Sequence, residues 1–212
     1  MRLVLLALFM SFSANAQLGA VKAVVTKSDG EQLEGFVKNV IASKPVSVVS
    51  FSTAARGKFQ NIPAWEVEKI VLKGKKELLI QEVEIDNGNN NLLMLERVDR
   101  HREFTLEKKR LYLELLVDGE VPLYRTRLDN IEKFFIRDQR GKIVQLLFKK
   151  FLWKRHPDYL GPDRVEQNNY YHGQLSEEAR CLNKKGKFDP PEYAKLKLVA
   201  YFKRFNSGNC GK

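Results

Sequence analysis

Along residues 17–147 the chain is cut into strand-sized apolar runs by turn signals at short intervals, and nothing between them has helical period. Asp29-Gly30, Asp118-Gly119 and Arg140-Gly141 are tight-turn pairs, and Asn87-Gly88-Asn89-Asn90-Asn91 reads as an exposed loop. Asp and Asn tolerate the left-handed turn conformation and Gly adopts it freely, so such pairs reverse a chain between paired strands. Residues 20–26, 33–41, 46–52, 78–85, 111–117, 121–127, 134–136 and 143–148 carry the β-branched and aromatic positions of strands. Strands at this interval with no intervening helices predict an antiparallel sheet, in the form of a sandwich or an open barrel. Ile62-Pro63 lacks a ladder donor, so its segment belongs at an edge or in a loop.

The pattern changes near residue 148. Ala194, Leu198, Tyr201, Phe202 and Phe205 fall on one helical face. Asp189 is placed to cap that helix, with Pro190 in its first turn and Glu192 three residues on, as in a capping box. A second helix is expected over residues 170–182, where Tyr171, Leu175, Ala179 and Leu182 share a face, and a short helical piece over 149–155 ends before Pro157. The expected class is α+β: a β-rich domain at 17–147 followed by a small helical subdomain at 148–212.

Charge divides with this pattern. Residues 17–99 hold 11 basic and 11 acidic side chains, whereas residues 100–212 hold 25 and 15, a net +10 out of +11 for the chain. Basic pairs such as Lys149-Lys150, Lys154-Arg155 and Lys184-Lys185 recur among aromatics (Phe151, Trp153, Tyr159, Tyr170), which suits an anionic partner. These six cations are the candidate binding residues. The basic amphipathic last helix also suits peripheral contact with an anionic membrane surface.

Residues 1–16 carry the address. Arg2 precedes an apolar run from Leu3 to Phe12, and Ser13-Ala14-Asn15-Ala16 ends in a small-x-small cleavage pattern, so residues 1–16 read as a secretory signal peptide. The run is about half the ~20 residues a spanning helix needs, and no other long apolar stretch follows, so the mature chain is expected to have no transmembrane segment. In an oxidising compartment Cys181 and Cys210 are expected to pair. Closing their 29-position loop is worth on the order of 3–4 kcal/mol in the chain-entropy account. Export also argues against cytoplasmic nucleic acid as the partner.

The exported start, the opening Thr26-x-Ser28-Asp29-Gly30-x-x-Leu33-x-Gly35, the 111–124 block LYLELLVDGEVPLY and the closing stretch from Leu196 to Cys210 together resemble a group of uncharacterised envelope proteins of Bacteroidota-type bacteria. The resemblance implies a periplasmic or outer-membrane-associated location. It rests on turns and apolar positions, so it implies an architecture and carries over no catalytic residues.

Several chemistries lose their signatures. No two Gly stand two apart, so a G-x-G-x-x-G loop is missing; Gly30 and Gly35 have Walker A spacing, but Phe36 and Val37 replace its Lys and Ser/Thr. No G-x-S-x-G elbow occurs. His101, His156 and His172 have no His or Cys at chelating spacing, so neither a metal nor a cofactor is expected. Glu82 and Glu84 share one face of a strand and alternate with Val83 and Ile85, the pattern of a wet sheet face rather than of a glycosidase pair. One hydrolytic alternative stands: His101 as base beside Asp99 or Glu103, among Arg100 and Arg102, acting on a polyanion. The leading expectation is a non-enzymatic, exported binding or assembly module, meeting an envelope protein or an anionic envelope polymer or lipid.

Overall fold

The computed structural model describes residues 19–40, 43–74, 76–88, 98–138, 140–153, 164–178 and 189–207. Among these residues twelve strands and two α-helices form in the order β1 (Val21–Lys27), β2 (Gln32–Lys38), β3 (Val48–Ser52), β4 (Gln60–Pro63), β5 (Val67–Leu72), β6 (Lys76–Asp86), β7 (Leu106–Val117), β8 (Leu123–Leu128), β9 (Ile131–Arg137), β10 (Ile143–Gln145), β11 (Lys149–Trp153), β12 (Arg164–Asn168), α1 (Tyr171–Glu178) and α2 (Lys195–Asn206), with a short 3-10 turn at Ala64–Glu66 between β4 and β5. The first ten strands make one open antiparallel sheet in the order β10-β9-β8-β7-β6-β5-β1-β2-β3-β4, and β11 and β12 make a separate hairpin. This is the expected class: a β-rich, unclosed sheet with a small helical end.

Turn chemistry sets the pairing. Gly30 sits at φ 90° in the β1–β2 turn, closed by the Lys27 amide donating to the Glu31 carbonyl at 2.8 Å. Asp129 and Asn130 both take positive φ and join β8 to β9 directly, with Leu128 opposite Ile131. That is the two-residue hairpin whose twist matches its strands. Pro63 ends β4 on the outermost strand, where no further ladder needs its missing N–H.

The longest strands, β6 and β7, pair continuously from Leu78 opposite Glu114 to Asp86 opposite Leu106. Their alternation feeds two faces. Leu78, Ile80 and Tyr112 join Val25, Val37 and Ile70 in one core, while Leu79, Val83, Leu111 and Leu113 join Tyr124 and Phe135 in another. β9 is buried on both faces, because Phe134 and Ile136 turn towards a third core that contains the helices. There Leu198, Tyr201, Phe202 and Phe205 of α2 and Tyr171 and Leu175 of α1 pack on Leu123, Phe134 and Leu146.

Two local expectations are corrected, and a third is met as far as the described residues reach. Residues 149–153 form strand β11 rather than a helix: five residues are too few to hold an isolated helix, and pairing with β12 satisfies the backbone. Helix α2 begins at Lys195 with Ala194 as its cap and no side-chain capping bond, so Asp189 does not cap it. Helix α1 spans Tyr171–Glu178 within the expected 170–182; Leu182 lies outside the described residues. Among the described residues no helix is long and apolar enough to cross a membrane.

Candidate binding site at the seam of the sheet

Five successive antiparallel neighbours, β6 to β10, make β10 run in the same direction as β6. The sheet curls until these two strands lie close, yet no ladder joins them. The β5 ladder covers β6 only from Lys76 to Leu79, so residues 80–86 of β6 have a partner on the β7 side alone. Alternation then fixes which backbone groups are left. The Asp86 amide points away from β7 and the Asn87 amide donates towards Thr105 on the β7 side at 3.0 Å. Residues of even number from 82 to 86 therefore turn their N–H and C=O towards β10. On β10, the Lys142 carbonyl and the Leu146 amide bond to β9, so Ile143 and Gln145 face β6.

At one end of this seam, side chains replace the ladder. Gln145 Oε1 accepts the Asp86 amide at 2.7 Å, and Lys133 Nζ donates to the Asp86 carbonyl while lying 3.6 Å from Asp86 Oδ2. Lys149 Nζ lies 3.9 Å from Asp86 Oδ1 and 2.7 Å from Asp99 Oδ2, and also donates to the Glu103 carbonyl. Asp86 and Lys149 are wholly buried. Burial pushes the Lys133 ammonium below its ordinary value, with the Asp86 carboxylate acting in the opposite sense. Burial also pushes Asp99 upwards, but the hydrogen bonds from Lys149 and the His101 amide, with the charges of both, hold its carboxyl below the usual range. Gly88 is required here because a Cβ would come within 2.4 Å of Lys149 Cε.

Away from that knot the seam opens into a groove of about 290 Å³ lined by β6 residues 81–84, Lys108, Arg137, Gly141, Lys142 and Ile143. Along the same strand, Gln81 and Glu82 also line a second hollow of about 370 Å³ with Trp65, Glu68, Ile80 and Arg110. The two hollows share β6, and Lys108 and Arg110 of the neighbouring β7 line one each. Trp65, 64% exposed, stands at one end. At the other, Lys142 pairs with Glu84 at 3.2 Å and Lys108 sits opposite Glu84 in register. Arg110 neutralises Glu82 at 3.4 Å, and Arg137 has no carboxylate within 4 Å among the described residues.

The candidates named from sequence are dispersed. Lys149, expected on a basic surface, is instead buried against Asp86 and Asp99, because its position on β11 shares a face with buried Phe151. Lys150 is half-buried and lines a separate hollow of about 220 Å³ with Glu132, Phe148 and Tyr193. Lys154, Arg155, Lys184, Lys185, His156, Cys181 and Cys210 lie outside the described residues. Asp99 does not orient the His101 ring: it accepts only the His101 backbone amide, at 3.0 Å, and is committed to Lys149. Glu103 contributes its carbonyl to Lys149 while its side chain is exposed. Glu82 and Glu84, expected on a wet face, are exposed and line the groove. The apolar face of α2, considered for membrane contact, is spent in the core.

No protein-family profile, curated protein or solved structure matches this chain. The site must therefore be read from its own geometry. Among the described residues no three His, Cys, Asp or Glu side chains are grouped to hold a metal ion. What the seam offers is a half-open strand edge, a flanking aromatic and a lip of cations. Sequence reasoning missed Arg137 and Lys142 because they flank the Arg140-Gly141 turn separately and meet Glu84 and Lys108 only when the sheet curls.

Proposed function

We propose that this chain is an exported, non-enzymatic binding or assembly module of the cell envelope and that it engages an acidic partner through the seam groove. Export rests on the leader-like residues 1–16, and an envelope location on the resemblance carried by the turns and the 111–124 block. The observation that carries the binding reading is the lip formed by Lys108, Arg137 and Lys142, three exposed cations around one groove in which Glu84 is paired with Lys142 and Glu82 with Arg110. Such a surplus attracts anions and orients an encounter.

The test is capture of partners from the native cell-envelope fraction by the mature protein and by the variant Lys108→Glu/Arg137→Glu/Lys142→Glu, washed at low and high salt. All three side chains are exposed, so the variant should fold as the parent does. Retention should fall by about tenfold or more and lose its salt dependence, as removal of several charge contacts requires. Equal capture with an equal salt response would overturn the reading.

A further inference from the structure

We propose that the hollow beside Trp65 is a saccharide site, taking a neutral pyranose chain of the glucose or N-acetylglucosamine type. It stands apart from the cationic lip and does not rest on the acidic-partner reading. Trp65 exposes most of its surface, yet the turn that carries it is pinned. The Ala64 amide donates to the Ser47 carbonyl at 2.9 Å, Ser28 Oγ to the Trp65 carbonyl at 3.0 Å, and the Ser28 amide to the Glu66 carbonyl at 2.8 Å. Pro63 fixes the backbone before the turn, and Ala64 and Val67 are buried. A turn held this way keeps the indole in one place, so stacking on it costs little ordering entropy. The hollow of about 370 Å³ beside the ring has the size of a small-ligand site and is lined by Ser28, Glu68, Gln81, Glu82 and Arg110 as well as Trp65.

The chemistry of the occupant follows from the lining. Trp65 is the one aromatic residue in it, so a ligand is stacked on a single face and meets polar groups round its edge. A pyranose with equatorial substituents has that shape. Its axial C–H bonds present a weakly positive, apolar face to the negative face of the indole, and its hydroxyls project sideways to donate and accept. The lining supplies both senses: Glu68 and Glu82 accept, Arg110 donates, and Gln81 does either. Neither sign of charge is favoured. Arg110 offsets Glu82 at 3.4 Å, and Glu68, with no cation within 4 Å among the described residues, repels phosphate and carboxylate groups. Arg110 in turn opposes a cationic side chain over Trp65. A neutral ligand with many hydroxyls escapes both penalties.

Cellohexaose and chitohexaose are the probes, titrated to about 10 mM into the chain spanning residues 17–212. Its two Trp residues, Trp65 and Trp153, give separate indole N–H signals by NMR. At least one sugar should shift the Trp65 signal and leave that of Trp153 in place. The effect should be equal at low and high salt, because stacking and neutral hydrogen bonds are not screened. Trp65→Ala should bind about tenfold or more weakly at an unchanged denaturation midpoint, and Trp65→Tyr should stay within about threefold. Should the Ala variant fail to fold, shifts on the parent replace it: the Ser28, Glu68 and Gln81 amides should move with sugar, and those of Arg137 and Lys142 should not. The Lys108→Glu/Arg137→Glu/Lys142→Glu chain should bind sugar as the parent does, which separates this site from the acidic-partner reading. No shift with either sugar, a shift of Trp153 alone, undiminished binding by Trp65→Ala, or a response to hexa-arginine in place of the sugars would overturn the proposal.

Discussion

Lys149 shows how one residue's environment reverses its apparent role. In the sequence it belongs to a basic, aromatic-interleaved run; in the fold its ammonium is buried between Asp86 and Asp99. Two carboxylates and the Glu103 carbonyl replace its hydration, so removing it leaves buried acid uncompensated. Lys149→Ala should cost about 3 kcal/mol in urea unfolding. The partner Asp99 has a lowered folded pKa, so the unfolded state takes up its proton first as pH falls. Its contribution is present above the unfolded value and is lost as pH drops below about 4 towards the folded value. The stability of Asp99→Asn should accordingly fall less steeply than that of the parent between pH 5 and 2.5. Identical slopes would mean that the pair does not hold in solution. Lys133 carries the same lesson in a form the sequence could have shown: Ile131, Lys133 and Phe135 alternate on one face of β9, and Phe135 is wholly buried.

At the scale of elements, apolar patterning was a better guide than capping or composition. The α2 face was legible because Leu198, Tyr201, Phe202 and Phe205 repeat with helical period, and all four are buried. Its start was not legible, because Asp189 and Pro190 imitate a helix N-terminus five residues before the chain turns helical. The end of α2 is tied by tertiary contact. Asn206 Oδ1 accepts the Val121 amide at 3.0 Å, and its Nδ2 donates to the carbonyls of Asp118 and Val121 at 3.2 and 3.0 Å. Asn206→Ala would leave the partly buried turn before β8 unsatisfied and should lower stability by about 2 kcal/mol, read from the denaturant midpoint at unchanged slope. An unchanged midpoint would show that water replaces these bonds without loss. Strand β11 went unread because five residues with two Lys and two aromatics have no decisive period.

For the whole molecule, the β6–β7 pair is the spine: one face of it contributes to the core with β1, β2 and β5, the other to the core with β8 and β9. A sheet whose cores share two strands should unfold as one unit, so Trp fluorescence and far-UV circular dichroism should give coincident denaturation curves for residues 17–212. Separate transitions would show that the two sides of β6–β7 are independently stable. The antiparallel sheet, its main hairpins, the edge position of Pro63 and the apolar face of the last helix were written in the sequence, because turn residues and the periods of 2 and 3.6 are local properties of the chain. The candidate site was not. Arg137, Lys142 and Lys108 converge, and residues 80–86 lose a ladder, only because β5 stops short and the sheet curls to bring β10 beside β6. Curl and strand length depend on how side chains pack across the whole sheet, and burial of Lys149 depends on where two distant aspartates come to rest, so tertiary structure alone decided them.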